Sequence, residues 1–176
     1  MLFSLSQQEH FFSDIDLILP EIKKIKLYNQ EEHNLITKQN STWPGYRSMP
    51  LLNTNPILWQ YVSQLLFYKK IIAKGGWKIF SCIHLRLKKN KIEDWIHKDE
   101  ADGQYDSTCL IYLSDTNLES GTRLYDDNKN LINDIKFVKN RAIIFSGNYN
   151  HMGYGHYGDS IDNGRLTLNI FLKKIK

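Results

Sequence analysis

The stretch RLTLNIFLKK, Arg165–Lys174, alternates without a break. Leu166, Leu168, Ile170 and Leu172 fall in one phase; Arg165, Thr167, Asn169 and Phe171 fall in the other. A period of two marks a β-strand, whose successive side chains leave opposite faces. The apolar phase needs a core to cover. The other phase has two destinations. On pattern alone it faces solvent; the alternative is the mouth of a barrel, where a buried arginine requires an anion.

Working outward, WKIFSCIHLRL (Trp77–Leu87) repeats the pattern, with Ile79, Ile83, Leu85 and Leu87 against Lys78, Cys82, His84 and Arg86. Further short strands are expected in STCLIYLS (107–114), GTRLYDD (121–127) and IKFVKNRAIIFSG (135–147). The chain before Trp77 reads as mainly helical. SQQE (Ser6–Glu9) reads as a capping box ahead of an apolar run. In NPILWQYVSQLLFYKKIIAKGG, Asn55 suits the N-cap, Pro56 the first turn and Gly75 the stop. Ile57, Leu58, Tyr61, Val62, Leu65, Leu66 and Ile72 then form one apolar stripe. Helices followed by runs of short strands imply an α+β fold, with helices bracing one face of a sheet or barrel. We expect a single domain over 1–176, with helical support in 1–76 and the β core in 77–176.

At 176 residues, 41% hydrophobic and 24% charged, the chain can bury a full core. Its formal charge of +4 is spread over scattered lysines. No basic stripe is interleaved with aromatics, so a nucleic-acid partner is not expected. The two cysteines, Cys82 and Cys109, lie in apolar runs without CxxC spacing and read as buried thiols in a reducing compartment. The start, MLFSLSQQEHFF, has no basic n-region, and no run approaches the ~20 apolar residues of a membrane span. A cytoplasmic location and no membrane partner are the expectation.

WIHKDE (Trp95–Glu100) carries the chemistry. In an extended chain Trp95, His97 and Asp99 share a face, which sets an imidazole beside a carboxylate. An HxD is weak evidence alone. A third ligand downstream would complete a two-histidine, one-carboxylate facial triad for Fe(II), with the opposite face open. Of the six histidines, His10 and His33 read as surface residues and His84 as structural or pocket-lining. His151 directly follows a strand and a short turn, and His156 stands five residues on in the Gly-rich HMGYGHYGD. Both stand as candidates for the third ligand.

The order of HxD, TCLIYLS, ESGTRLYD, NRAIIFSGNYNH and RLTLNIF resembles that of the 2-oxoglutarate- and Fe(II)-dependent dioxygenases, particularly the prolyl-hydroxylase-like branch. The resemblance covers roughly residues 77–173. It implies a double-stranded β-helix, a jelly-roll or cupin-like barrel, with N-terminal helices packed on one sheet. It assigns His97, Asp99 and His151 to the iron. Arg165, with Thr167 and Tyr112, would hold the distal carboxylate of 2-oxoglutarate, which turns the polar phase of the last strand inward. Leu87 stands where relatives often carry a co-substrate tyrosine, and the stretch from His151 to Arg165 is longer than in many of them.

The implied reaction hydroxylates a C–H bond using O2, releases succinate and CO2, and can draw on ascorbate as reductant. Relatives that halogenate replace the carboxylate that Asp99 supplies here. Peptidyl proline or another amino-acid residue of a protein or peptide is the implied substrate, with a small molecule such as a free amino acid or a nucleotide base as the alternative. Trp95, His84, Arg86, Tyr105, Asp106 and Arg123 are candidates for the mouth. TWPGYRS (Thr42–Ser48) is either a cover for the site or a plain connector. A non-catalytic cupin-like binding module is the alternative function.

Overall fold

The computed structural model describes residues 5–90, 94–99 and 105–175. Ten strands and four helices are assigned among them. The strands are β1 (Ser6–Gln8), β2 (Leu27–Tyr28), β3 (Tyr46–Ser48), β4 (Trp77–Arg86), β5 (Ser107–Tyr112), β6 (Asn117–Tyr125), β7 (Leu131–Phe137), β8 (Ala142–Ser146), β9 (Asn150–Tyr154) and β10 (Arg165–Lys174). The helices are α1 (Ile15–Lys23), α2 (Gln30–Thr37), α3 (Leu51–Thr54) and α4 (Pro56–Tyr68). A seven-stranded sheet, ordered β1-β8-β5-β10-β4-β3-β2, faces a three-stranded sheet, β7-β6-β9. Every pairing is antiparallel. This is a double-stranded β-helix with helices on one sheet.

β10 lies at the centre, between β4 and β5, and is buried on both faces. Its leucine phase joins Ile83, Leu85, Cys109 and Ile111 against Phe11, Phe12, Ile22, Leu58, Val62 and Leu66. The opposite phase points between the sheets. A second core fills that space, built from Leu110, Tyr112, Leu124, Ile135, Phe137, Ile143 and Phe145. The solvent destination read from pattern alone is therefore corrected. The polar phase of β10 is interior because both faces of a central strand are covered, so alternation there separates two cores rather than core from water.

Local signals held in some places and were overruled in others. Asn55 caps α4 by accepting from the Leu58 N–H at 3.1 Å, and Pro56 opens the helix. The helix ends at Tyr68, before Gly75: Lys70 takes φ 59°, and the Ile71 and Ile72 N–H groups turn back to the Leu66 carbonyl. That turn returns Ile71 and Ile72 to the core. SQQE is not a helix start. Ser6–Gln8 pairs with β8 from Ser6↔Ile144 to Gln8↔Ala142, and the first helix takes Asp14 as its cap. An otherwise open strand edge gains backbone partners this way, which outweighs a local capping preference. The N-terminal 76 residues thus supply three short strands as well as four helices.

Cys82 and Cys109 are buried free thiols, with burial raising them to about 11 and about 12 respectively. No helix among the described residues is long and apolar enough to cross a membrane.

Asn140 fastens the N-terminal segment to the barrel. Its side chain accepts from Phe12 N–H and donates to Phe12 C=O, both at 2.8 Å, while its own backbone sits at φ 65°. Two buried hydrogen bonds and a left-handed backbone predict that Asn140→Ala costs about 2–4 kcal/mol. Asn140→Gly should recover the backbone part, about 1 kcal/mol, and no more. Denaturant unfolding of both variants against the parent measures the difference.

Candidate active site

The cluster forms at the end of the barrel where the HxD segment meets β9. His97 and His151 make an isolated bridge, with His97 N–H to His151 C=O at 3.1 Å and the reverse bond at 2.8 Å. Their rings lie 4.3 Å apart. Each Nδ1 faces a carbonyl two residues back: His97 to Trp95 at 2.9 Å, and His151 to Tyr149 at 3.1 Å. A carbonyl only accepts, so both Nδ1 atoms carry the proton and both Nε2 lone pairs are free. Burial, then the neighbouring His151, lowers His97 to about 4, so its ring is neutral at pH 7.

Asp99 points its carboxylate between the two rings, 3.8 Å from His97 Nε2 and 3.4 Å from His151 Nε2. These gaps exceed the about 2.7–2.9 Å of a charge-assisted hydrogen bond. One donor atom from each residue lies within 4.8 Å of the others. Two imidazoles and a carboxylate converging at this spacing suit a shared cation better than one another. Thr108, on the same cavity lining, donates to Asp99 Oδ2 at 2.5 Å and fixes the carboxylate.

Arg165 enters the same cavity from the first residue of β10 and is 4% exposed. Its Nη2 donates to Gly121 C=O at 3.0 Å and lies 3.4 Å from Thr122 Oγ1. The guanidinium lies over Phe137 and Tyr112, 5.4 and 5.8 Å from the ring centres. Its Nε is buried with no partner, and it makes no ion pair among the described residues. Burial lowers its pKa. Thr167 lines the cavity, with its hydroxyl donating to Asn169 at 2.7 Å. Tyr112 is not on the lining: it lies beneath Arg165 and donates to Thr122 at 2.9 Å. Thr122, which does line the cavity, gave no signal in the sequence because it belongs to an ordinary strand.

His156 stands apart from the cluster, with Nε2 2.6 Å from Asp94. Asp94 also meets Arg86, the cross-strand neighbour of Arg165. A wider cavity of about 690 Å³ opens outside the cluster, bounded by Trp43, Arg47, Phe80, Trp95, Tyr105 and Phe171 among others. His33 is on its wall at 7% exposure, edge-on to Trp43, so its reading as a surface residue is corrected. It sits on the inner side of the short amphipathic α2, where one turn of polar flanks concealed its direction. Of the mouth candidates, Trp95, Arg86 and Tyr105 border this cavity and His84 the inner one. Asp106 instead accepts from the Lys174 N–H, and Arg123 packs on Tyr154, so neither lines either of these two cavities.

The segment Thr42–Ser48 is a wall of the site rather than a plain connector. Trp43, Pro44 and Arg47 all line the cavity, and the Pro44 carbonyl accepts from His84 Nε2 at 2.8 Å. His84 is therefore a neutral, structural histidine, and burial with Arg86 and Arg47 nearby holds it well below its usual range.

No protein-family model matches this sequence, and no curated protein matches it. Among solved structures the likeness is consistent. A prolyl-4-hydroxylase from Pseudomonas putida matches with a TM-score of 0.55 at 12% identity, over 98% of this chain and 93% of that one. HygX from Streptomyces hygroscopicus, with nickel and 2-oxoglutarate bound, matches with a TM-score of 0.66 at 10% identity, over 95% and 82%. The non-haem α-ketoglutarate-dependent epimerase SnoN of nogalamycin biosynthesis matches with a TM-score of 0.64 at 10% identity, over 97% and 77%. The fold is that of the 2-oxoglutarate- and Fe(II)-dependent oxygenases, prolyl hydroxylases included.

Gly45 holds the 42–48 wall in place. It sits at φ +80°, and a Cβ there would run into the Leu85 carbonyl oxygen. Gly45→Ala is expected to destabilise by at least about 2 kcal/mol and to move Trp43. Thermal unfolding reads the first effect, and a changed tryptophan emission spectrum the second.

Proposed function

We propose that this protein is an Fe(II)- and 2-oxoglutarate-dependent dioxygenase that hydroxylates a C–H bond, its machinery held in a single domain. One observation carries the reading. A buried arginine without an anion shares a cavity with two free imidazole lone pairs and a carboxylate. The donor set suits Fe(II), for which two histidines and one carboxylate leave open positions. A five-carbon diacid would answer both ends of the cavity, chelating at the metal and ending at the guanidinium.

His97, Asp99 and His151 would hold the metal. Bound there with 2-oxoglutarate and O2, Fe(II) would supply the oxidation of a C–H bond, with succinate and CO2 as the products of the keto acid. The chain does the positioning. Trp95 and Tyr149 carbonyls hold the two rings in the metal-binding tautomer. Thr108 keeps one carboxylate oxygen of Asp99 occupied and so orients the other. Arg165 pairs with the distal carboxylate through its fork, supported by Thr167 and Thr122, with Tyr112 bracing Thr122 from behind. Phe137 and Tyr112 keep water from that pair. The Pseudomonas prolyl-4-hydroxylase makes a prolyl residue the first substrate to try.

Anaerobically purified protein should bind one Fe(II) per chain. His97→Ala, Asp99→Ala and His151→Ala should each weaken that binding severely, while His156→Ala keeps most of it. Iron lost in the His156 variant and kept in the His151 variant would overturn the ligand assignment. Arg165→Ala should leave Fe(II) binding intact yet weaken 2-oxoglutarate by tens of fold, on the order of 2–5 kcal/mol. Arg165→Lys should recover only part, since an ammonium cannot make two parallel bonds. Titrating 2-oxoglutarate into the Fe(II) protein and following the metal-to-ligand charge-transfer band tests this. No band in the parent, or an unchanged midpoint in Arg165→Ala, would overturn the assignment.

A further inference from the structure

The outer cavity carries three basic side chains, Arg47, Arg86 and Lys98. Two are matched by carboxylates. Arg86 meets Asp94, and Lys98 Nζ lies 2.8 Å from Asp127. Arg47 has no ion-pair partner among the described residues, and its Nε is buried without a hydrogen bond. Its guanidinium stacks 4.7 Å over the Trp43 ring, which fixes its plane but brings no counter-charge. Burial lowers its pKa, an effect that Cys82 and then the Asp99 carboxylate partly offset. His84, its cross-strand neighbour, is already committed to Pro44.

Place matters as much as charge. Arg47 lines both the inner and the outer cavity, so it stands where they join, beside His97 and Asp99. Arg165 lines the inner cavity only. An anion on Arg47 would therefore hold a molecule lying in the outer cavity against the metal cluster. An aromatic wall faces that space: Phe171 lies 5.9 Å from Phe80 and 5.2 Å from Tyr105, ring centre to ring centre, with the rings inclined by 37° and 39°. The volume, about 690 Å³, is within the range of small-molecule sites. One guanidinium matches one carboxylate; a phosphate dianion calls for more cationic donors than Arg47 alone offers.

We infer that the substrate is a small molecule whose free carboxylate pairs with Arg47 and whose apolar part lies against Phe80, Tyr105 and Phe171. This deepens the reading of the site as a 2-oxoglutarate oxygenase and rests on it. It replaces an internal residue of a polypeptide with a molecule that ends in an acid.

The test is a binding measurement on anaerobic, Ni(II)-loaded protein, with and without 2-oxoglutarate, read through tryptophan fluorescence since Trp43 and Trp95 line the cavity. Phenylacetate and L-phenylalanine are compared with phenylacetamide, L-phenylalaninamide and phenyl phosphate. At least one acid should bind saturably and about tenfold or more tighter than its amide. Arg47→Gln should erase that preference and leave the 2-oxoglutarate midpoint unchanged. Arg47→Lys, which keeps the charge, should restore part of it and guards against a folding defect in the first variant. The inference is overturned if no acid binds, if acids and amides bind alike, or if Arg47→Gln binds the acids as the parent does. Tighter binding of phenyl phosphate would overturn the carboxylate, and a loss of 2-oxoglutarate affinity in Arg47→Gln would move Arg47 to the co-substrate. Failure of the parent to bind 2-oxoglutarate at all counts against the oxygenase reading, and the acid–amide comparison made without it still stands on its own.

Discussion

Ten consecutive pairings hold β10 against β4, from Arg165 opposite Arg86 to Lys174 opposite Trp77. The rest of the molecule depends on this register. It directs four aliphatic side chains of β10 into the helix-covered core and Arg165, Thr167 and Asn169 into the space between the sheets. A slip of one residue would exchange the two sets. The arginine would then be buried among Phe11, Val62 and Leu66, and leucines would occupy the cavity. Neither core tolerates the exchange, because an unpaired guanidinium in an apolar layer costs far more than any single contact returns. Pairing with β5 on the other side, where Thr167 meets Tyr112 and Leu168 meets Ile111, enforces the same choice.

The residues that could be read from the chain are those whose meaning is carried by a period or a short motif. Alternation in β4 and β10 announced two long strands, and the HxD announced two of the three converging side chains. The inward turn of Arg165 was a different kind of inference. Its alternation fits a half-exposed strand equally well, and only the likeness to a known barrel chose between them. Short elements escaped altogether. β1 has three residues, too few for a period, and exists because the β8 edge needed a partner. His33 and Asp94 gained their importance from neighbours remote in sequence, so nothing local marked them, and Arg47 was marked only as part of the Pro-Gly stretch 42–48. The end of α4 was misplaced because Lys70, rather than a glycine, adopts the left-handed turn.

Three buried or half-buried arginines around one cavity impose an electrostatic cost that the fold distributes unevenly. Arg86 is answered within the chain by Asp94, and His156 approaches the same carboxylate. Arg165 receives a carbonyl and aromatic faces, and Arg47 an aromatic face alone. Polar groups buried without full satisfaction are where stability yields to function. The two arginines left without a carboxylate flank the His97–Asp99–His151 cluster, so the deficit and the chemistry coincide.

The lengths of the outermost strands have a consequence for the molecule in a crowded solution. A sheet of seven strands offers two flanks on which a foreign chain could template itself, and here those flanks are β1, with three residues, and β2, with two. So few backbone groups give an incoming segment almost no ladder to extend. On the smaller sheet the flank β7 is longer and shows Leu131 and Ile132 to water, but Asp134 and Lys136 follow at once, and charges on a border strand repel the apolar strands that would add to it. The same economy that made β1 invisible in the sequence thus protects the folded sheet from growing into an aggregate.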